Sequence, residues 1–233
     1  MTDQDLFRTF FFISKKEISI CVRNNNDFKN IFFKKKELFK DKSYFDDDDI
    51  ESFFFENIEK IENQIKIFIK NISLIIEDDN IFSIEISLKQ KIENRAISQE
   101  EFKNLLLIGL EQVNKYNPNL SIIHYIAEVL RIDDQIVESI ENKKIKSHLC
   151  VDLKFICIDQ KFVTKFKDLF KKKHVFLEKI FSGEYLRKYN APDDDIINCL
   201  VKIEEGLNKL EVKLIPKKPP KKGFFEKFFS YFS

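Results

Sequence analysis

The chain contains few residues that interrupt regular structure, with four Gly and five Pro among 233 residues. Hydrophobic residues make up 43% of the sequence and include 26 Phe. A chain this apolar and this poor in breakers does not have the composition of a disordered protein. Its length is sufficient for one domain with a substantial core, or for two small domains packed together. The sequence therefore predicts a folded protein.

The chain also lacks an excess of charge of either sign. Forty Lys and Arg stand against 39 Asp and Glu, which gives a formal net charge of +1. This balance provides no long-range attraction toward a nucleic acid or another polyanion. Lysine clusters at residues 34–36, 143–146 and 171–173 are typical of loops and helix ends in a lysine-rich protein. We therefore expect no nucleic-acid partner.

Cysteine pairs with metal-site spacing and long hydrophobic runs are absent as well. Four cysteines lie along the chain without a CxxC spacing: Cys21, Cys150, Cys157 and Cys199. This usage is typical of a reducing compartment. The first apolar run, residues 10–13, is far shorter than a signal-peptide core or a spanning helix. We therefore expect a cytoplasmic chain without a transmembrane segment.

The histidines and cysteines do not form a recognisable metal site. His124, His148 and His174 are far apart in sequence, and His124 lies on an apolar strand, where a buried structural histidine is more common than a ligand. Cys150 and Cys157 are an odd number of residues apart on one predicted strand, so their side chains should point to opposite faces. The sequence thus predicts no metal ligand.

Motifs for catalysis or cofactor binding are not present either. The acidic run at residues 46–49 lacks the alternating oxygen ligands and the Gly of a calcium loop, and it fits the start of a helix better. Nothing in the sequence resembles a P-loop or a nucleophile elbow. We therefore expect no catalytic residue, no cofactor and no small-molecule substrate, and the chain is predicted not to be an enzyme.

Hydrophobic periodicity predicts an α+β chain with an inserted module. The first part contains strands Leu6–Ile13, Glu17–Val22 and Phe28–Phe33, a helix over about Glu51–Lys70, and a strand Ser73–Glu77. The module, residues 81–158, contains a strand Phe82–Leu88, a helix that begins at the Ser98–Glu101 capping box and ends near Asn117, and strands Ser121–Ile132 and Leu149–Ile158. The last part contains a helix from Gln160 to about Lys173, a strand Val175–Phe181, a corner at Gly183, a helix after Pro192 with an apolar face extending to Leu210, and a short strand ending at Ile215. Residues 1–80 and 159–215 are therefore expected to form one discontinuous half domain.

The last 18 residues have the pattern of a tethered membrane-binding helix. Residues 216–223 form a Pro- and Lys-rich extended linker, and residues 224–233 place their aromatic side chains within an arc of about 160° on a helix. Five Lys and one Glu in this segment concentrate positive charge beside the aromatic side. The predicted membrane-binding residues are Lys217, Lys218, Lys221, Lys222, Phe224, Phe225, Phe228, Phe229, Tyr231 and Phe232. Docking of the segment on the protein's own core or in a partner's groove is the alternative.

Three segments resemble the FtsA family of bacterial cell-division proteins. The run Ser121–Gln135, with His124 near its start and Asp133 near its end, resembles a module strand of that family. Leu149–Ile156 resembles the following strand, and residues 162–181 resemble the helix and strand that re-enter the actin-like core. The order of elements and the aromatic tail also agree with the family.

The resemblance implies an actin-like, ribonuclease-H-like half domain and a role as a peripheral membrane adaptor or scaffold of the division machinery. The implied partners are the cytoplasmic tails of membrane-spanning division proteins and the lipid surface at the cytoplasmic face of the bacterial inner membrane. A second class, the actin-like adaptors of pilus or secretion assemblies that are similar to PilM, shares the half domain and the module. It is the alternative to a division role.

The sequence departs from the FtsA pattern at the nucleotide-binding hairpin. Where the family has an acid followed two residues later by Gly, this chain has Phe12 and Ser14, so the negative charge and the backbone freedom used near the phosphates are both missing. The second actin-like half, which carries the surface for the filament protein FtsZ, has no counterpart before the tail. We therefore expect no nucleotide binding, and FtsZ is a doubtful partner.

Overall fold

The structure is a computed structural model and describes residues 6–38, 47–141, 143–189 and 195–213. The described elements are, in chain order, β1 (Phe7–Ser14), β2 (Glu17–Asn24), β3 (Asn30–Glu37), α1 (Asp47–Ile65), β4 (Asn71–Glu77), β5 (Ile81–Lys91), α2 (Gln99–Tyr116), β6 (Leu120–Ile132), β7 (Gln135–Val137), β8 (His148–Asp159), α3 (Gln160–Lys171), β9 (Phe176–Ser182), α4 (Gly183–Arg187) and α5 (Ile196–Glu204). The predicted linker and aromatic tail, the predicted strand end at Ile215, and Pro192 lie outside the described residues. No helix in the described ranges combines the length and the apolar character needed to cross a membrane.

The first sheet has five strands in the order β3-β2-β1-β4-β9. β1, β2 and β3 form an antiparallel meander, because tight turns join them, whereas β4 and β9 extend the sheet in parallel from the other side of β1. Helices separate the parallel strands along the chain, as parallel pairing requires a crossover connection. β1 is therefore the central strand.

Both faces of the first sheet are covered by helices, which explains the continuous apolar run in β1. On one face, Phe11 lies against α1 and α3, with its ring centroid 5.9 Å from that of Phe54 and 5.6 Å from that of Phe170. On the other face, Phe10 and Phe12 pack in a cluster with α4 and α5. The core of this half is thus a sheet between two helical layers.

The second sheet contains only antiparallel pairs, in the order β5-β8-β6-β7, and α2 covers one of its faces. Alternate residues of β8 point into this second core, and Tyr125 stacks on Phe155 with ring centroids 4.5 Å apart. The hydroxyl of Tyr125 donates a hydrogen bond of 2.6 Å to the carbonyl of Leu106 in α2. These contacts fix α2 across the sheet.

The strand order is that of an actin-like, ribonuclease-H-like half domain. A three-stranded meander, a helix and a parallel strand are followed, after the second sheet, by a further helix and parallel strand. The second sheet is inserted between β4 and α3. The predicted α+β fold class is therefore confirmed.

Two helices end earlier than their apolar periodicity predicts. α1 ends at Ile65 because Lys66 adopts a positive φ of 60°. α5 ends at Glu204, and Gly206 with φ of 98° follows it. The amides of Gly206 and Leu207 donate to the carbonyls of Ile203 and Lys202, which is the Schellman arrangement. The apolar residues beyond α5 therefore belong to a returning segment and not to the helix.

The hairpin that joins β6 to β7 is not visible in the apolar pattern. Asp133 and Asp134 both have positive φ, 48° and 68°, as a two-residue type I′ turn requires. The carboxylate of Asp133 also accepts three backbone N–H groups of residues 146–148, which lowers its pKa. β7 was not predicted because three residues are too few to show an alternation.

Candidate functional site

A groove runs between the two sheets, where the first half of β6 lies beside β9. Its larger part has a volume of about 660 Å³ and is bounded by β6, by the end of α5 and by the segment that follows α5. A smaller part of about 340 Å³ lies between β6, α3 and β9. His124 and Phe181 line both parts. The two parts of the groove therefore meet at these residues and at residues 121–123, Lys179 and Glu211.

His124 connects the two sheets through hydrogen bonds on both ring nitrogens. The backbone N–H of Ser182 donates to Nε2 over 3.1 Å, so this nitrogen must carry a lone pair. Nδ1 is therefore the protonated nitrogen, and it donates to Glu211 Oε1 over 2.8 Å. The ring is buried, with its centroid 4.2 Å from that of Tyr185. His124 is thus a satisfied structural histidine, in agreement with the expectation from the sequence.

Tyr185 and Asn208 extend the polar network beside the groove. The Tyr185 hydroxyl donates to Glu211 Oε2 over 3.2 Å, and Asn208 Nδ2 donates to the Tyr185 oxygen over 2.8 Å. Burial raises the pKa of Tyr185 above its ordinary value, which keeps the hydroxyl protonated as a donor. The network holds the returning segment, residues 208–212, against β6. Sequence reasoning did not find these residues, because no local pattern shows where this segment returns.

The outer edge of β6 is only partly paired. Backbone hydrogen bonds join Ala127 N–H to the Leu210 carbonyl over 2.8 Å, and Val212 N–H to the Tyr125 carbonyl over 2.7 Å. β7 pairs further along the same edge. At residues 120–123, no other strand of the described chain pairs with this edge. A register shift between Ile122 and His124 lies in this stretch, so only part of the edge has the regular geometry to which an extended peptide adds as a further strand.

The groove combines an apolar lining with charges at its rim. Leu110, Ile122 and Ile203 supply the apolar surface of the larger part. Glu204 accepts hydrogen bonds of 2.5 Å from both Arg8 and Lys179, so its negative charge is compensated. The rim therefore carries charges of both signs beside an apolar floor.

The turn between β1 and β2 stands where an actin-like half domain would approach a phosphate. Here the hydroxyl of Ser14 accepts hydrogen bonds from the backbone N–H groups of Lys16, over 3.3 Å, and Glu17, over 3.2 Å. These amides are the donors that a phosphate would need. In this chain the serine hydroxyl is thus the acceptor for both of these amides.

Ion pairs line the neighbouring pocket of about 370 Å³ at the carboxyl end of β4. Lys15 pairs with Asp79, and Arg187 pairs with Glu77. Gly183 allows the close approach of α4, because a Cβ at this position would lie 2.3 Å from Glu77 Cγ. Two of the carboxylates that line this pocket are thus paired with the protein's own cations, and Asp78 and Glu184 line it as well.

The remaining candidate metal residues are separated in the structure. His148 Nε2 lies 3.0 Å from Asp134 Oδ1 on the second sheet, and His174 lies in the turn after α3. Burial raises the pKa of Cys21 and of Cys157 to about 11, so both thiols stay protonated near neutral pH. In the described part of the chain, no three His, Cys, Asp or Glu side chains are grouped so that they could hold a metal ion.

No family model matches the chain, and no curated protein matches it. Three solved structures are similar in fold. The PilM-PilN type IV pilus biogenesis complex shares 5% identity at a TM-score of 0.48, over 78% of this chain and 49% of that chain. The cytoplasmic domain of EpsL, an inner membrane component of the type II secretion system of Vibrio cholerae, shares 10% identity at a TM-score of 0.38. The match covers 80% of this chain and 59% of that chain. A Bacteroides thetaiotaomicron protein with an actin-like ATPase fold and unknown function shares 10% identity at a TM-score of 0.33. The match covers 81% of this chain and 60% of that chain.

The chain thus spans about half to three fifths of the length of these solved chains. None of the three is an FtsA protein. The actin-like part of the sequence-based resemblance agrees with the observed strand order, whereas the cell-division part finds no support among them.

Proposed function

We propose that the chain is a non-enzymatic adaptor that holds an extended segment of a partner protein in the groove between its two sheets. The single observation that carries the proposal is the edge of β6 at residues 120–123, with which no strand of the described residues pairs, beside an apolar groove. Backbone pairing with that edge would supply affinity, and side chains entering the groove would supply specificity.

We further propose that this adaptor works at a membrane-associated assembly. The aromatic tail with its adjacent lysines supports a lipid-facing location through its sequence pattern. The titles of two similar structures name pilus biogenesis and type II secretion. Their TM-scores lie below 0.5, so these names decide only which assembly should be tested first for a partner. A pilus or secretion assembly comes first and the division machinery second.

Site-specific photo-crosslinking in cells tests the partner. A photoreactive residue in place of Ile122 should crosslink to the cytoplasmic segment of a membrane-spanning pilus or secretion protein, because Ile122 lines the groove. The same residue in place of Tyr116, which is 71% exposed at the end of α2, should give no such product. Crosslinks to a division protein would support the division role. Crosslinks only to residues 214–233 of the same chain would contradict partner docking.

Nucleotide should not bind to this adaptor. Titration of MgATP into the full chain is expected to give no heat of binding, because Ser14 and the two ion pairs already occupy the groups that would contact phosphate. The thermal midpoint should likewise stay unchanged with added MgATP, since only a ligand that binds the native state raises it. Tight MgATP binding would contradict the nucleotide-free part of the proposal.

A further inference from the structure

The second sheet has a long free edge at β5, away from the groove. β5 is 11 residues long and pairs with β8 without a register shift. Among the described residues, no strand pairs with its other side. Neither Gly nor Pro occurs in it, and no bulge interrupts it, so the usual devices that block strand addition are limited to charged side chains.

The register of β5 fixes which backbone groups face outward. Ile92 N–H donates to the Ser147 carbonyl, and these residues are directly opposite in the register that pairs Lys91 with His148. Hydrogen-bonded pairs alternate in an antiparallel ladder, so the even-numbered residues bond to β8. The odd-numbered residues, from Ser83 to Lys91, therefore direct their N–H and C=O groups to the free edge.

We propose that β5 pairs antiparallel with β5 of a second copy, about a twofold axis at Ser87, to form one continuous eight-stranded sheet. In this register Glu85 faces Lys89 of the second copy, and the twofold axis repeats the pair. Ser83 faces Lys91. Each residue whose backbone N–H and C=O groups point to the free edge then lies opposite a residue of the second copy whose groups point the same way. This arrangement is the one that backbone hydrogen bonding between the two edges requires.

Charge complementarity selects this register over its neighbours. Shifting the twofold axis to residue 85 would place Glu85 against Glu85, and shifting it to residue 89 would place Lys89 against Lys89, both with like charges opposite each other. In a second copy of this edge, a lysine that would repel a basic strand thus lies opposite an acid. Glu85 is 60% exposed and remains accessible, although it also contacts Lys154 of its own chain.

Apolar side chains on the face of the sheet that α2 covers favour the same pairing. Ile86 and Leu88 are only partly buried beneath α2, and each would meet the other across the twofold axis. Leu110 of α2 lies on the groove side, and Ile108, which is 47% exposed, projects from the opposite side of the helix. Pairing of two copies would shield these side chains from water.

Sedimentation velocity on the full chain, with a pair of charge-reversal variants, tests the dimer. The wild type should dimerise with increasing concentration, and E85K or K89E alone should each weaken dimerisation by about tenfold or more, because each places like charges opposite each other twice. A mixture of E85K and K89E should restore the dimer, since the two chains are then complementary. K103E, at an exposed position of α2, makes the same charge change as K89E and should dimerise like the wild type.

A wild type that stays monomeric at all concentrations would overturn the proposal. Dimers that are unaffected by both reversals, or a mixture that does not recover, would overturn it as well. Circular dichroism should show native folding for both variants, because both positions are exposed.

Discussion

Deletion of residues 216–233 should abolish binding of the protein to anionic vesicles in a flotation assay. A helix of about ten residues is marginal in water, so the tail needs a surface on which to fold. Six aromatic side chains, worth roughly 1.5–3 kcal/mol each when buried, can offset that ordering. The neighbouring lysines add about 1 kcal/mol each near anionic lipid. The intact chain should therefore bind vesicles more than about tenfold better than the truncated chain.

The matched control for the tail is a variant in which an aromatic residue of the body is changed. Phe225→Ser with Phe229→Ser should reduce flotation strongly, whereas Phe68→Ser, at a position 77% exposed on the body, should leave it unchanged. Equal flotation of the intact and truncated chains would remove the membrane-binding hypothesis. A large loss of thermal stability on truncation would instead support docking of the tail on the protein's own surface.

Phe11→Ala should be among the most destabilising single substitutions in the chain. Phe11 is fully buried in the central strand and its ring contacts those of Phe53, Phe54 and Phe170, so it joins β1 to both α1 and α3. Truncation of a buried Phe to Ala costs about 3–5 kcal/mol, because apolar contact is lost and a cavity remains. Thermal denaturation should show a fall in Tm of about 10 °C.

Phe68→Ala is the matched control for this core substitution. It removes the same atoms from a side chain that is already 77% exposed, so its Tm should stay within about 2 °C of the wild type. Similar Tm values for Phe11→Ala and the wild type would show that Phe11 does not join the sheet to the helices as described.

The apolar patterns predicted much of the fold, because side-chain periodicity is a local property. The alternation in residues 17–22 and the helical spacing after Asp49 gave a strand and a helix that the structure contains. The capping box at Ser98 and Glu101 is present with both of its hydrogen bonds. Helix ends were less accurate, since the pattern beyond Glu204 continues in a segment that packs on β6 without being helical.

The candidate groove could not be predicted in the same way. The sequence suggested that His124 is structural, but its partners Ser182 and Glu211 lie 58 and 87 residues away along the chain. The unpaired part of β6 is visible only once its neighbours in the sheet are known. The sequence also indicated a poor nucleotide site at Phe12 and Ser14, while the ion pairs that line the adjacent pocket appear only in three dimensions.

Most element types and the balanced charge could be predicted from the sequence by itself, because composition and periodicity act over neighbouring residues; β7 and α4 were not predicted, and the aromatic tail stays a prediction. Only the tertiary structure decided which strand edges are unpaired among the described residues and which charges are already paired. Both depend on the path of the chain, since Lys15 meets Asp79, and Arg187 meets Glu77, only after the strands have taken their order in the sheet.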